Sequence, residues 1–123
     1  MRTVPEQDYD AEGPRLRVHH RVVDGAVVVV ASGDVDMNTI ADLEEQLAAA
    51  LSPEAPVVAD LTGVTFLDST GLSALVRCHE RAVRDGGSLR LVAATRAVSR
   101  PLRLTGLDRL LDVRPTLEAA LEG

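Results

Sequence analysis

One stretch of sequence decides the fold of this chain: VVADLTGVTFLDSTGL, which occupies residues 57–72. Its apolar start predicts a short central strand from Val57 to Asp60. Residues 60–67 are predicted to form a turn-like connection, and a pattern with helical periodicity begins at Ser69. A hydroxyl is therefore expected in the first turn of a helix, where free backbone N–H groups and the helix dipole favour negative charge.

The helix that begins at Ser69 is predicted to run to about Arg84. Its apolar face is formed by side chains at helical spacing, namely Leu72, Leu75, Val76, His79 and Val83. Asp85-Gly86-Gly87 ends the helix, because glycine readily adopts the left-handed conformation that follows a helix. Another strand is expected over residues 88–94, so the centre of the chain is predicted to be strand, helix, strand.

A β-hairpin is predicted on the N-terminal side of this unit. Residues 15–23 alternate between apolar and polar side chains, which is typical of a strand with one buried face. Asp24-Gly25 is a strong signal for a two-residue hairpin turn. Residues 26–31 are entirely apolar and are predicted to be a strand buried on both faces.

The first helix is expected after a polar turn at residues 32–36. Its apolar residues recur with spacings of three and four, as an amphipathic helix requires, at Ile40, Leu43, Leu47 and Leu51. Thr39 and Asp42 have the form of a capping box at the start of this helix. The proline-containing segment at residues 52–56 ends the helix before the strand at Val57.

The C-terminal part of the chain is predicted to hold two short helices and a brief strand. The first of these helices spans roughly residues 97–105, and Pro101 should shorten or kink it unless the proline lies in its first turn. Gly106 is suited to the C-terminal end of this helix. A strand at residues 112–114 and a small helix at residues 115–121 complete the order.

The predicted order of elements, β-β-α-β-α-β-α-α, indicates a single α/β domain. Strands and helices that alternate after a hairpin imply a mixed sheet of about four to five strands, parallel in its later strands, with about four packed helices. The domain is expected over residues 15–123. Residues 1–14 contain two prolines and several acids without periodicity, and they are predicted to be a disordered tail.

Composition and charge exclude several classes of function. The 123 residues are 46% hydrophobic, which suits one domain with a packed core, but only 2% are aromatic. Nucleobases therefore have few side chains to stack on, and a net charge of −6 opposes binding to nucleic acid or to an anionic membrane. No uninterrupted apolar run has membrane length, so we expect the chain to be cytoplasmic.

Motifs for catalysis, metal binding and nucleotide binding are missing from the sequence. Ser69 lacks the G-x-S-x-G surroundings of a nucleophile elbow. Asp34 and Asp36 provide too few hard ligands for a metal ion. Gly86-Gly87 has neither phosphate-loop nor dinucleotide-binding spacing, and the single Cys78 excludes an internal disulfide. We therefore expect no cofactor.

Four short motifs, which occur together and in order, point to a regulatory function. The first is the stretch at residues 57–72, which ends in Asp68-Ser69-Thr70-Gly71-Leu72 and, taken alone, is more simply a helix cap than a site. The others are Gly33-Asp34-Val35-Asp36, Gly86-Gly87-Ser88-Leu89 and Leu104-Thr105-Gly106-Leu107. Together they resemble the signature of the anti-sigma factor antagonist family, the bacterial STAS-domain group, over about residues 15–121.

The resemblance implies a regulatory binding protein and not an enzyme. Members of the family bind an anti-sigma factor that is also a protein serine kinase, and this binding displaces a sigma factor. The kinase phosphorylates the serine after the motif aspartate, which ends the interaction. That serine corresponds to Ser69, with Thr70 as the nearby alternative. The implied partner surface comprises Asp34, Asp36, Asp68, Ser69, Thr70 and Gly71.

Two other interpretations stay open at this stage. A STAS domain can serve as a non-switching subunit of a signalling scaffold or of a lipid-transport complex, which the intact Asp68-Ser69 pair disfavours. A small hydrolase that uses Ser69 is the third hypothesis, although His19 and His20 lie on a hairpin strand and no orienting set surrounds the serine.

Overall fold

The computed structural model describes residues 15–122, which contain one mixed sheet and the helices that pack on it. The strands are β1 (Leu16–Val23), β2 (Ala26–Val35), β3 (Val57–Leu67), β4 (Leu89–Val92) and β5 (Asp112–Arg114). The helices are α1 (Ile40–Ala50), α2 (Ser69–Arg84), α3 (Arg96–Leu104) and α4 (Leu117–Leu121), and a 3-10 turn lies at Leu107–Arg109. The predicted α/β class, with an N-terminal hairpin, a mixed sheet and four helices, is confirmed.

Strand order in the sheet follows chain order, β1-β2-β3-β4-β5. β1 and β2 pair antiparallel across the predicted turn, where Asp24 and Gly25 have φ angles of 51° and 81°. The other neighbouring strands pair in parallel. Because β2 and β3 run in the same direction, their carboxyl ends meet at one edge of the sheet.

Apolar clusters lie on both faces of the sheet. The larger cluster joins α1, α2 and α3 through buried residues such as Leu43, Leu75 and Leu102. The smaller cluster lies on the opposite face, where Ala120 of α4 packs with Val58 of β3. Three helices on one face therefore hold the strands, and the loops at their carboxyl ends, in fixed positions.

Two strands are longer than the sequence predicts. The polar turn predicted at residues 32–36 and the turn-like segment predicted at residues 60–67 are strand up to Val35 and Leu67, so both predictions are wrong. The parallel ladder between β2 and β3 continues to the Val35–Leu67 pair. Hydrogen bonding and packing between neighbouring strands outweigh weak local strand propensity, and a single segment read alone does not contain that information.

Two glycines allow the additional strand residues, which lie beyond the predicted strand ends, to approach their neighbours closely. The register between β2 and β3 shifts at two places along this part. Gly33 has a φ of 109°, and a side chain there would overlap the carbonyl oxygen of Arg15. A Cβ atom at Gly63 would lie 2.7 Å from the Cβ of Ser32. Both glycines therefore let the strands stay paired through the irregular region.

Thr39 begins α1 without the predicted capping box. Its side chain makes no capping hydrogen bond to the helix. The hydroxyl donates instead to the carbonyl oxygen of Asp34 at 2.8 Å and accepts from the amide of Asp36 at 3.0 Å. The prediction is wrong because the turn before the helix competes for the same hydroxyl. Thr39 consequently fastens the end of β2 to the start of α1.

Helix α3 contains a proline beyond its first turn. The helix starts at Arg96, so the alternative that placed Pro101 in the first turn is wrong. Because proline has no N–H to donate and its ring crowds the preceding turn, a helix interior tolerates it poorly, and α3 ends soon afterwards at Leu104. The Thr105 hydroxyl donates to the Pro101 carbonyl oxygen at 2.7 Å, and Gly106 follows with the left-handed φ expected there, 75°.

The predicted tail at residues 1–14 lies outside the described residues. Within residues 15–122, no helix combines the length and the apolar character needed to cross a membrane. The described chain begins at Arg15, whose carbonyl oxygen accepts a hydrogen bond from the amide of Asp34 at 2.7 Å. The start of β1 is therefore attached to the carboxyl end of β2.

Candidate functional site

The predicted site residues meet at the edge of the sheet where β2 and β3 end. Val35 pairs with Leu67 and Asp34 pairs with Phe66, which makes the two strand ends neighbours although they are distant in sequence. The surface formed by Asp34, Asp36, Asp68 and Ser69 is called the acidic edge below. Asp34 lies at the end of β2, whereas Asp36, Asp68 and Ser69 follow the ends of β2 and β3, and the parallel pairing brings all four together.

Asp68 caps α2, which has the predicted bounds of Ser69 to Arg84. Its backbone is extended, and its carboxylate accepts a hydrogen bond from the amide of Gly71 at 3.1 Å. The Asp68 amide donates to the carbonyl oxygen of Val35 at 3.2 Å, which ties the start of the helix to β2. Aspartate is well suited to this position because a negative charge also favours the positive end of the helix dipole.

Ser69 is the first residue of α2, and its side chain is exposed. The capping bond is made by Asp68, so the Ser69 hydroxyl has no part in starting the helix. Thr70 is half-buried. The two predicted phosphorylation sites thus lie side by side, and Ser69 is more exposed than Thr70.

Gly71 lies beneath the acidic edge. It is buried, and a Cβ atom at this position would lie 2.6 Å from Cδ1 of Leu67 and 2.8 Å from Cγ1 of Val35. The first turn of α2 therefore sits directly against the ends of β2 and β3. Gly71 sets the position of Ser69 through this close packing and presents no side chain to a partner.

Asp36 is held as a carboxylate by three neighbouring groups. It accepts hydrogen bonds from the amide of Asn38 at 2.9 Å and from a guanidinium nitrogen of Arg15 at 3.0 Å. The Asn38 amide, then the charge and hydrogen bond of Arg15 and the Thr39 hydroxyl, lower the pKa of Asp36 below its usual value. A negative charge therefore persists at this end of the acidic edge into acidic solution.

Asp34 joins the two strand ends through its side chain. The hydroxyl of Thr65 on β3 donates to Oδ1 of Asp34 at 3.0 Å. Asp34 is half-buried and Thr65 is exposed, so the bond lies on the accessible side of the sheet edge. Thr65 was not predicted as a site residue, because only the tertiary structure brings its hydroxyl to the carboxylate of Asp34.

Two exposed apolar side chains flank the acidic edge. Met37 is 74% exposed next to Asp36, and Phe66 is 50% exposed between Thr65 and Leu67. Phe66 is also the only phenylalanine of the chain. Neither residue was predicted from the sequence, because residues 60–67 were expected to be a turn, and the exposure of Phe66 beside the buried Leu67 follows only from the longer strand.

A shallow groove leads away from Ser69 along α2. It has a volume of about 390 Å³ and is lined by Ser69, Leu72, Ser73, Val76, Arg77, Thr105 and Leu107. The last two residues belong to the segment that follows α3. The groove therefore connects the acidic edge with the end of α3 and is open to a side chain from a partner.

Other chemically reactive groups are isolated or buried in the described part. Within residues 15–122, no three His, Cys, Asp or Glu side chains are grouped so that they can hold a metal ion. Cys78 is 4% exposed, and burial raises the pKa of its thiol to about 11. A thiol with this pKa stays protonated near neutral pH and is a poor nucleophile.

Sequence comparison relates this arrangement to known proteins. A model of the STAS domain family matches residues 17–120, which reach from β1 to α4. The anti-sigma-F factor antagonist RsfA of Mycobacterium tuberculosis is 37% identical over 106 residues, which cover 84% of this chain and 80% of RsfA. The anti-sigma-F factor antagonist RsfB of the same organism is 35% identical over 101 residues, which cover 80% and 81% of the two chains.

Structural comparison agrees with the sequence relationship. The crystal structure of an anti-sigma factor antagonist from Mycobacterium paratuberculosis superimposes with a TM-score of 0.79. It is 36% identical in sequence, and the superposition covers 87% of this chain and 92% of that protein. The similarity therefore extends over most of the described sheet and helices.

Proposed function

Because the chain belongs to the STAS domain family of anti-sigma factor antagonists, we propose that it binds an anti-sigma factor and so releases a sigma factor. The proposed partner is a serine kinase, and phosphorylation of Ser69 ends the binding. One observation carries this proposal. Asp68 caps α2, which leaves the exposed hydroxyl of Ser69 available to a kinase without loss of the helix start.

The charges around Ser69 support an on–off switch at the surface. A phosphoryl group adds about 1.5 to 2 negative charges near neutral pH. It would join the carboxylates of Asp68, Asp34 and Asp36 at the acidic edge, all three of which accept hydrogen bonds from neighbouring residues. A partner surface that accepts a neutral hydroxyl among these carboxylates would meet a bulkier and more negative group after phosphorylation.

Phosphorylation of Ser69 is not expected to destabilise the domain. The phosphoryl group would stand at the N-terminus of a helix, where a negative charge is stabilising by about 0.3–1 kcal/mol. Its site is exposed, so no buried group has to move to accommodate it. We therefore propose that phosphorylation blocks the partner directly and leaves the domain folded.

The apolar residues beside the acidic edge supply the contact area for a partner. Met37, which follows Asp36, and Phe66, which pairs with Asp34, are both exposed. Methionine and aromatic side chains are enriched in the centres of protein interfaces, where burial of apolar surface contributes much of the affinity. We propose that both side chains, with Asp34, Asp36, Ser69 and Thr70, form the surface that the anti-sigma factor covers.

Competition for the anti-sigma factor tests the proposal. The sigma factor–anti-sigma factor complexes of the source bacterium are purified, and released sigma factor is measured after titration with this protein. Wild type and Ser69→Ala should release one sigma factor with equal potency, whereas Ser69→Asp should need at least about tenfold more protein because like charges oppose docking. Val22→Asp is the matched control, since it adds the same charge at an exposed position of β1 that pairs with Val27 at the amino end of β2, away from the groove.

The kinase reaction is tested separately with the anti-sigma factor and ATP. Mass spectrometry should locate the phosphoryl group on Ser69 in wild type and in Thr70→Val, and should find none in Ser69→Ala. Transfer to Ser73 or to Thr70 would overturn the assignment. A chain that binds without any transfer would instead support the non-switching STAS subunit, and a Ser69-dependent hydrolysis would support the hydrolase.

A further inference from the structure

A face made of arginines covers the exposed side of α3. Arg96, Arg100 and Arg103 are all exposed, and their spacing of four and three residues places them on one side of the helix. The buried residues of the helix, Val98 and Leu102, lie on the opposite side. These three arginines, together with the exposed Arg109 of the 3-10 turn, are called the arginine face below.

The arginine face has no carboxylate partner among residues 15–122. Ion pairs in this part of the chain involve other arginines, namely Arg15, Arg77, Arg81, Arg90 and Arg114. The whole chain carries a net charge of −6. A concentrated positive patch on an acidic protein attracts a negatively charged surface.

Local physics works against these arginines in the helix. Like charges three and four residues apart destabilise a helix, and a positive charge at its first residue opposes the helix dipole. Arg96 occupies that first position, and the side chain of the preceding Thr95 makes no capping bond. A sequence that breaks several local rules at one place indicates a functional surface more than a structural one.

The end of α3 connects the arginine face with the groove that reaches Ser69. Leu104 is 70% exposed beside Arg103, and Thr105 and Leu107 line the groove from the end of α3. Ser69 of the acidic edge lines the same groove. One partner that covers the groove can therefore contact the acidic edge and the arginine face at the same time.

We propose that the arginine face docks on an acidic surface of the anti-sigma factor, and this inference rests on the proposed function. The groove then lies between a negative and a positive recognition surface, which fixes the direction in which the partner approaches Ser69. The contacts of the arginine face lie at the rim, where charges act mainly on the association rate and on partner choice. This surface therefore favours an anti-sigma factor that carries a matching acidic surface.

A pair of charge reversals with equal net charge tests the inference. Arg100→Glu with Arg103→Glu alters the arginine face, and Arg17→Glu with Arg21→Glu alters exposed arginines of β1, away from α3. Association of each full-length variant with the purified anti-sigma factor is measured at about 50 mM and about 300 mM NaCl, because salt screens exposed charges. Circular dichroism and urea unfolding confirm that both variants are folded.

The α3 reversal should lower the association rate about tenfold at low salt, while the β1 reversal should stay within about twofold of wild type. The difference between the two variants should shrink at high salt. Equal rates for both reversals would overturn the inference, and the proposed function would stand if Ser69→Asp still weakens binding. If wild type binds no anti-sigma factor, the proposed function and the inference fall together.

Polyanions other than proteins are tested in the same series. A random DNA duplex and vesicles that contain phosphatidylserine are offered to wild type and to the α3 reversal at about 150 mM NaCl. Wild type should bind neither one measurably. If wild type binds one of these polyanions, the α3 reversal does not, and both bind the anti-sigma factor equally well, the arginine face belongs to that polyanion and the inference is overturned.

If the α3 charge reversal fails to fold, Arg100→Gln with Arg103→Gln replaces it. The association rate of this variant with the anti-sigma factor should be about threefold lower than that of wild type.

Discussion

At the scale of single residues, Asp68 and Ser69 have different roles, which the sequence alone does not separate: one caps α2, and the other is the proposed phosphorylation site. Either side chain is chemically able to cap a helix. Asp68 makes the capping bond to the amide of Gly71, whereas Ser69 is exposed one position later. The residue proposed to change its charge is thereby separate from the residue that starts the helix, so modification of Ser69 leaves the capping bond intact.

Alanine substitution should separate these two tasks in urea unfolding. Asp68→Ala should lower the free energy of unfolding by about 1 kcal/mol, because the Gly71 amide loses its acceptor. Ser69→Ala should change it by less than about 0.5 kcal/mol, as is usual for exposed positions. An equal loss in both variants would mean that Ser69 contributes to the helix start after all.

Gly71→Ala should destabilise the domain although alanine is the better helix former. The substitution gains up to about 1 kcal/mol of helix propensity, but the added Cβ overlaps side-chain atoms of Leu67 and Val35. Overpacking of this kind costs about 1–3 kcal/mol, so a net loss of about 1 kcal/mol is expected. Ser73→Ala on the exposed side of α2 is the control and should be neutral or slightly stabilising.

Cys78 should make stability fall in alkaline solution. Burial raises the pKa of its thiol in the folded protein from 9.0 to about 11. Above pH 9 the unfolded chain therefore releases the thiol proton while the folded chain keeps it, and folding loses stability until the pH reaches about 11. Urea unfolding should show that the free energy of unfolding falls less steeply between pH 8 and pH 11 in Cys78→Ala than in wild type. If both proteins lose the same free energy over this range, the thiol is not buried in the folded protein.

At the scale of elements, the short helix α4 depends on side chains from the sheet. A helix of five residues has no stability of its own in water. Arg90 of β4 donates to the carbonyl oxygen of Ala120 at 2.7 Å, and Arg114 of β5 donates to that of Ala119 at 2.9 Å. Asp112 binds Arg114 and lies 3.6 Å from Nε of Arg90, so one carboxylate orients both donors.

Asp112→Asn should therefore loosen α4 without disturbing the rest of the domain. The expected result is faster hydrogen exchange at the amides of residues 117–121 and a loss of about 1 kcal/mol in the free energy of unfolding, because a charged hydrogen bond is weakened. Asp108→Asn removes a carboxylate from the exposed 3-10 turn and serves as the control. Uniformly faster exchange across the sheet would show that Asp112 supports the whole fold instead.

At the scale of the whole molecule, the buried core and the charged groups that a partner would contact are separate. Three helices and the sheet share one buried cluster, which extends to the residues under the acidic edge, such as Val35 and Leu67. The charged groups that a partner would contact lie outside this cluster. A change of charge at the surface is therefore expected to alter binding much more than folding.

Ser69→Asp provides a direct test of that separation. Its thermal unfolding midpoint should stay within about 3 °C of wild type, since an acid near a helix N-terminus is tolerated or slightly stabilising. Amide chemical shifts should change only around residues 34–37 and 65–73. Changes that spread to β4, β5 or α4 would indicate a conformational mechanism in place of direct blocking.

Much of the fold is predictable because its signals are local. The Asp24-Gly25 turn and the bounds of α2 follow from turn chemistry and apolar periodicity within short windows of sequence. The α/β order follows from placing such elements one after another. The motif that ends in Asp68 and Ser69 is likewise continuous in sequence, which is why the candidate acceptor is visible without a structure.

The sequence by itself thus determined the order of elements, the position of α2 and the serine that follows Asp68. Only the tertiary structure decided that β2 and β3 continue to Val35 and Leu67 and that the Asp34 carboxylate meets Thr65. It also decided that Asp68 is the cap and that Phe66 faces outward. The physical reason is that these features arise from hydrogen bonds and packing between segments far apart in the chain, and no local window contains both partners.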